Sequence, residues 1–201
     1  MDTWDAYARL IEKHNGVWGG CWCTWFHDDT PDMPKKDSTG YDWKKRMVEL
    51  GIAHAALVFD GEDAIGWAEY GSPAELPRIY HRKEYLETES EPSPYRITCF
   101  FSDRNHRRSG VSREALQGAL DLIAVAGGGS VEGYPNDIPE GRKISASFLF
   151  SSTREVFEEA GFEYIRPLGT QRCVMRRTVA AAQLTAQRWL LRGLIRERLV
   201  Q

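Results

Sequence analysis

The spacing of apolar residues changes once along this chain, and that change constrains the fold more than any other feature. Residues 96–101 (Arg-Ile-Thr-Cys-Phe-Phe) read as a strand, after which Val111, Ala115, Leu116, Ala119, Leu122 and Ile123 recur at helical spacing. Gly127-Gly128-Gly129 closes that helix, and a further strand at 130–134 predicts a strand–helix–strand crossover. Ahead of it, apolar runs at 53–59 and 64–70 flank Asp60-Gly61-Glu62-Asp63, the pattern of an antiparallel hairpin. A hairpin and a crossover in one sheet predict a mixed α/β (α+β) architecture. Helices are expected at 2–14, 41–50, 146–160 and 180–199, and strands also at 21–27, 162–166 and 171–177.

A chain of 201 residues closes one sizeable core. We expect one domain over 1–178 and a basic amphipathic helix over 179–201. No apolar run approaches the length of a membrane span. Met1-Asp2-Thr3-Trp4-Asp5 lacks the basic and apolar pattern of a leader, so a cytoplasmic protein is expected. The formal charge of −3 divides into +5 over 176–201 and −8 over the remainder, and an acidic body argues against a nucleic-acid surface. Cys21, Cys23, Cys99 and Cys173 lack partners at zinc-finger spacing, so free thiols and no metal are expected.

The chemistry-bearing segment is Phe100-Phe101-Ser102-Asp103-Arg104-Asn105-His106-Arg107-Arg108-Ser109-Gly110-Val111-Ser112. It runs from an apolar strand through a basic loop and Gly110 into the first turn of a helix. Such a turn presents unpaired N–H groups and partial positive charge, Gly110 lets an anion approach the backbone, and Arg107 and Arg108 add charge. The alternative is a solvated loop capped by Ser109. It is not a P-loop, because no Gly-Lys-Ser/Thr follows, nor a dinucleotide fingerprint, because two glycines are missing.

The segment resembles motif A of the GCN5-related N-acetyltransferase (GNAT) family, Arg/Gln-x-x-Gly-x-Gly/Ala after the fourth strand, here Arg107-x-x-Gly110-x-Ser112. The order of elements over 2–177 is also similar to that family. So is Phe157-Glu158-Glu159-Ala160-Gly161-Phe162, where the family often has Tyr-x-x-x-Gly-Phe. The resemblance implies a GNAT-like acyl-CoA N-acyltransferase fold with an extra C-terminal helix. It also implies acetyl-CoA as cosubstrate, with pyrophosphate on the amides of 108–112 and pantetheine along Phe100, Phe101 and Ser102. Ser152 and Thr153 fall near the family's pantetheine contacts, although such hydroxyls also bond the preceding helical turn. The family's thiolate-protonating tyrosine falls at Phe157, which has no proton to give.

Two groups are candidates for proton transfer. Glu69 shares a strand face with Trp67 and would act as base if burial raised its pKa, or else is an exposed strand carboxylate. Tyr134 ends a strand and would act as acid, or else is a half-buried aromatic with a solvated hydroxyl. Trp18, Trp22, Trp25, His27, Trp43 and Trp67 either line an acceptor pocket or form core. The expected activity is acetyl transfer from acetyl-CoA to a primary amine by direct attack. The rival is a non-catalytic acyl-CoA-binding or regulatory module. The tail, with Leu184, Leu191, Ile195, Leu199 and Trp189, is expected to pack within the protein or across a homodimer rather than on a membrane.

Overall fold

The computed structural model describes residues 3–17, 19–27, 39–88, 91–139, 141 and 145–183. The expected hairpin forms: β1 (His54–Asp60) and β2 (Asp63–Gly71) pair antiparallel from His54↔Tyr70 to Asp60↔Asp63. β2 pairs antiparallel with β3 (Tyr95–Ser102), and β3 pairs parallel with β4 (Gly129–Gly133). The hairpin of β5 (Glu163–Leu168) and β6 (Arg172–Val179) completes a six-stranded mixed sheet in the order β1-β2-β3-β4-β6-β5. The α/β expectation is met.

Helices cover both faces. On one, α1 (Trp4–Lys13) turns Tyr7, Leu10 and Ile11 into a core with Trp22, Leu57 and Trp67. Beside it α2 (Gly40–Glu49), capped by the Thr39 hydroxyl accepting from Asp42 N–H at 3.2 Å, buries Trp43 and Met47 against Ala53. A short α3 (Arg82–Thr88) interrupts the irregular stretch before β3. On the other face, α4 (Val111–Val125) packs Val111, Ala115, Leu116, Ala119, Leu120 and Ile123 on β1, β2 and β3. Each fully buried large aliphatic side chain contributes roughly 1.5–3 kcal/mol. Phe157 of α5 (Arg154–Glu159) joins that core against Phe100 and Phe162.

Three expectations need correction. Residues 21–27 form turns rather than a strand, because Trp22 (φ 51°) and Cys23 (φ 53°) are left-handed. That turn is fixed from outside: Tyr7 Oη donates to Trp22 O at 3.2 Å and Lys44 Nζ to Cys23 O at 3.1 Å. The helix expected over 146–160 is broken into a 3₁₀ turn (Ala146–Ser151) and α5. The break is at Ser152 (φ 61°), whose carbonyl accepts from Asn136 N–H at 3.1 Å and from Asn136 Nδ2 at 2.9 Å. Finally, residues 180–183 are not helical, and Ala182 N–H donates to Ala124 O at 2.8 Å. The rest of the expected C-terminal helix lies outside the described residues, as do Trp18 and the loop at 28–38. Among the described residues no helix is long and apolar enough to cross a membrane.

Candidate active site

The sheet splits between β3 and β4. Their pairing covers Tyr95↔Val131, Arg96↔Glu132 and Ile97↔Gly133, then stops. At the same level β3 carries a bulge: Ala68 pairs with Phe100 and Tyr70 with Ile97, so Glu69 faces both Thr98 and Cys99. A bulge leaves an extra residue unpaired and bends its strand. Beyond it, Phe100, Phe101 and Ser102 stay bonded to β2 on one side and have no strand partner on the other among the described residues. Gly133, the last paired residue of β4, lies so close to Phe157 that a Cβ there would meet Cε1 of the ring at 2.0 Å. Phe157 therefore forms the floor of the split.

The basic loop lies at the open end of this edge. Gly110 is the N-cap of α4 at φ 89°, a left-handed conformation that side chains resist, and a Cβ there would meet nothing within 4 Å. The first bonds of the helix run from Arg113 and Glu114 N–H to Gly110 O at 2.8 and 3.1 Å, leaving Val111 and Ser112 N–H ahead of the bonded turn. The Val111 side chain itself is buried in the core, so only its backbone is available. Arg107, Arg108 and Ser109 are exposed, and neither arginine has a carboxylate partner among the described residues. Ser112 Oγ is 3.3 Å from Ser102 Oγ, which ties the helix start to the strand end.

Asp103, which the sequence did not single out, anchors the loop. Its buried carboxylate accepts from Lys13 Nζ at 2.6 Å and Asn105 N–H at 2.9 Å, with His14 Nε2 3.4 Å away. Burial opposes its ionisation, but the Lys13 and Asn105 bonds outweigh it and hold its pKa below the usual carboxylate value.

Glu69 and Tyr134 share one sheet face but belong to separate clusters. Glu69 is buried, so the exposed alternative fails, yet the expected rise in its pKa is reversed. Burial alone would raise it; the ammonium of Lys44 at 2.7 Å and the His27 ring at 3.3 Å outweigh that and hold it at about 2. Its other oxygen accepts from Thr98 Oγ1 at 2.9 Å. Burial and Lys44 together lower the pKa of His27, whose Nδ1 lies 2.8 Å from Glu75 O. Tyr134 is buried and its hydroxyl is not left to solvent: it donates to Glu132 Oε2 at 3.0 Å, beside the Tyr85 hydroxyl at 2.6 Å, while Arg176 Nη2 reaches Oε1 at 2.6 Å. Burial pushes the Tyr134 phenol well above its usual range.

The remaining candidates divide. Ser152 and Thr153 stand across the split, bridged to Asn136 just beyond the end of β4. Trp22, Trp43 and Trp67 are core, whereas Trp25 is half-buried and stacks on Tyr80 with centroids 4.4 Å apart. Sequence reasoning missed Lys44 and Arg172 because their partners are remote in the chain: Glu69 for the first, Tyr134 and Ser151 for the second.

No family model and no curated protein sequence matches this chain. Solved structures do. The aminoglycoside 6'-N-acetyltransferase from Enterococcus faecium aligns over 90% of this chain and 92% of its own at 12% identity, with a TM-score of 0.50. A protein assigned to the GNAT acetyltransferases from Desulfovibrio desulfuricans aligns over 88% and 92% at 17% identity and TM-score 0.46. An aminoglycoside 6'-N-acetyltransferase complexed with coenzyme A aligns over 90% and 92% at 11% identity and TM-score 0.46. The chain has the fold of the GNAT acetyltransferases.

Proposed function

We propose that this protein transfers an acetyl group from acetyl-CoA to a primary amine. The observation that carries the reading is the left-handed Gly110 and its free helix N-terminus standing at the end of the unpaired edge of β3. The amides of 108–112, with Arg107 and Arg108, suit a pyrophosphate. The edge of Phe100, Phe101 and Ser102 suits an extended amide-bearing arm, which adds to a sheet edge as a strand would. Ser109 and Ser112 are small enough to leave the turn open, and Ser152 and Thr153 face the arm from across the split.

In the reaction the neutral amine attacks the thioester carbonyl, the carbon–sulfur bond breaks, the thiolate leaves and the amine loses a proton. Glu69 is a poor base for that proton: a carboxylate held at about 2 by Lys44 binds protons weakly. We assign it a positioning role, fixing the Thr98 hydroxyl beside the bulge. Tyr134 is a poor acid, since a phenol above its usual range gives up its proton less readily, and this proton already bonds Glu132. The amine proton therefore passes to water, and the thiolate leaves without a side-chain acid, consistent with Phe157 at the floor of the split.

Thiol release from acetyl-CoA, followed across a panel of primary amines with product mass as confirmation, tests this. Amine-dependent release that Gly110→Asp abolishes supports transfer. Acetyl-CoA binding without release for any amine supports the rival reading, a non-catalytic acyl-CoA-binding module.

A further inference from the structure

Arg172 opens β6 beside the split. Its Nη1 donates to the carbonyl of Tyr134, the residue that follows the last β3–β4 pair, at 3.3 Å, and to Ser151 Oγ. The planar guanidinium lies against a pair of touching rings, with Cζ 4.5 Å from the centroid of the Tyr80 ring and 4.9 Å from that of Phe150, and the two centroids 5.4 Å apart. The stack continues outward, from Tyr80 onto Trp25 and from Trp25 to Arg78 at 4.8 Å. Tyr80 is exposed and Arg172 only partly buried, so the stack borders solvent.

Among the described residues no carboxylate pairs with Arg172, and its Nε and Nη2 have no acceptor. The carboxylate on the neighbouring segment, Asp137, faces Arg154 instead, at 3.6 Å. Burial lowers the pKa of Arg172, where a buried carboxylate partner would raise it. The rings and the Tyr134 carbonyl hold the guanidinium in one orientation, with the N–H groups of Nε and Nη2 left in its plane. A fixed guanidinium with free donors is suited to a carboxylate.

We infer that Arg172 is the acceptor-recognition residue, and that the acceptor is an amine that also carries a carboxylate, with an apolar portion against the accessible edges of Tyr80 and Phe150. This deepens the acetyl-transfer reading and rests on it. Recognition of this kind discriminates sharply, because an analogue without the charge leaves a half-buried cation unpaired.

The test uses acetylated ligands, so it needs no turnover. The full-length protein, with CoA present, is titrated calorimetrically with N-acetylphenylalanine, N-acetyltryptophan and 4-acetamidobenzoate, and with the primary amide of each. We expect at least one carboxylate to bind more than tenfold tighter than its amide. Arg172→Gln should bring the two within about twofold without changing CoA affinity, and Arg172→Lys should restore part of the preference. A structural role alone would lower both affinities together and leave their ratio intact. Equal binding of carboxylate and amide by the parent protein, no binding of any carboxylate, or a preference that survives Arg172→Gln would each overturn the inference. Should the Gln variant not fold, the parent ratio and the Lys variant decide. Thiol release is measured separately, so failure here is distinguishable from failure of acetyl transfer.

Discussion

Lys44 Nζ lies 2.7 Å from Glu69 Oε1, and both side chains are almost wholly withdrawn from water. The pair joins α2 to β2 opposite the bulge where the sheet splits, with His27 and Thr98 taking the remaining positions. Two charges here hold the position of one strand relative to a helix.

Breaking one side of this pair should be costly. Lys44→Met or Glu69→Gln leaves a buried partner uncompensated, and each should lower unfolding free energy by about 3–5 kcal/mol. The double variant should recover part of that loss. Denaturant titration of the three variants checks it, and additive losses would contradict a direct pair.

The same carboxylate sets an acid limit. Its folded pKa of about 2 lies below the unfolded value near 4.5, so its stabilisation is present above pH 4.5 and is lost as pH falls towards 2. Thermal melts should show a steeper fall in Tm across that window for the parent than for Glu69→Gln.

The floor of the split should resist enlargement. Gly133→Ala would drive a methyl into Phe157 and should cost about 1–3 kcal/mol. Phe157→Leu in the same chain should relieve part of the loss, which calorimetric melting of the single and double variants measures.

Much of this fold was legible because local and global signals agree. The hairpin of β1 and β2, β3, and α4 ending at its glycines follow from period and turn chemistry within each segment. Residues 21–27 misled because Cys-Trp-Cys-Thr-Trp-Phe is apolar for burial rather than for strand pairing; Tyr7 and Lys44 bend it into turns. The break at Ser152 depends on Asn136, 16 residues away. Gly110 and its two arginines announced themselves as a local motif. The electrostatics of Glu69 did not, since Lys44 stands 25 positions earlier and no local pattern reveals whether a buried carboxylate has a cation beside it.

The anchor under the loop gives another test. Asp103→Ala removes the acceptor of Lys13 Nζ and Asn105 N–H, and should cost about 1–3 kcal/mol in stability. It should also weaken acetyl-CoA binding several-fold by loosening 104–109, measured by calorimetry below the melting temperature.

Amide hydrogen exchange on the full chain, with and without saturating acetyl-CoA, tests the central claim most directly. The account predicts new protection at the unpaired edge over 100–102 and at the helix start over 108–112, with any further change limited to 152–153 across the split. Binding that leaves both stretches unchanged, or protection that falls elsewhere, would contradict it.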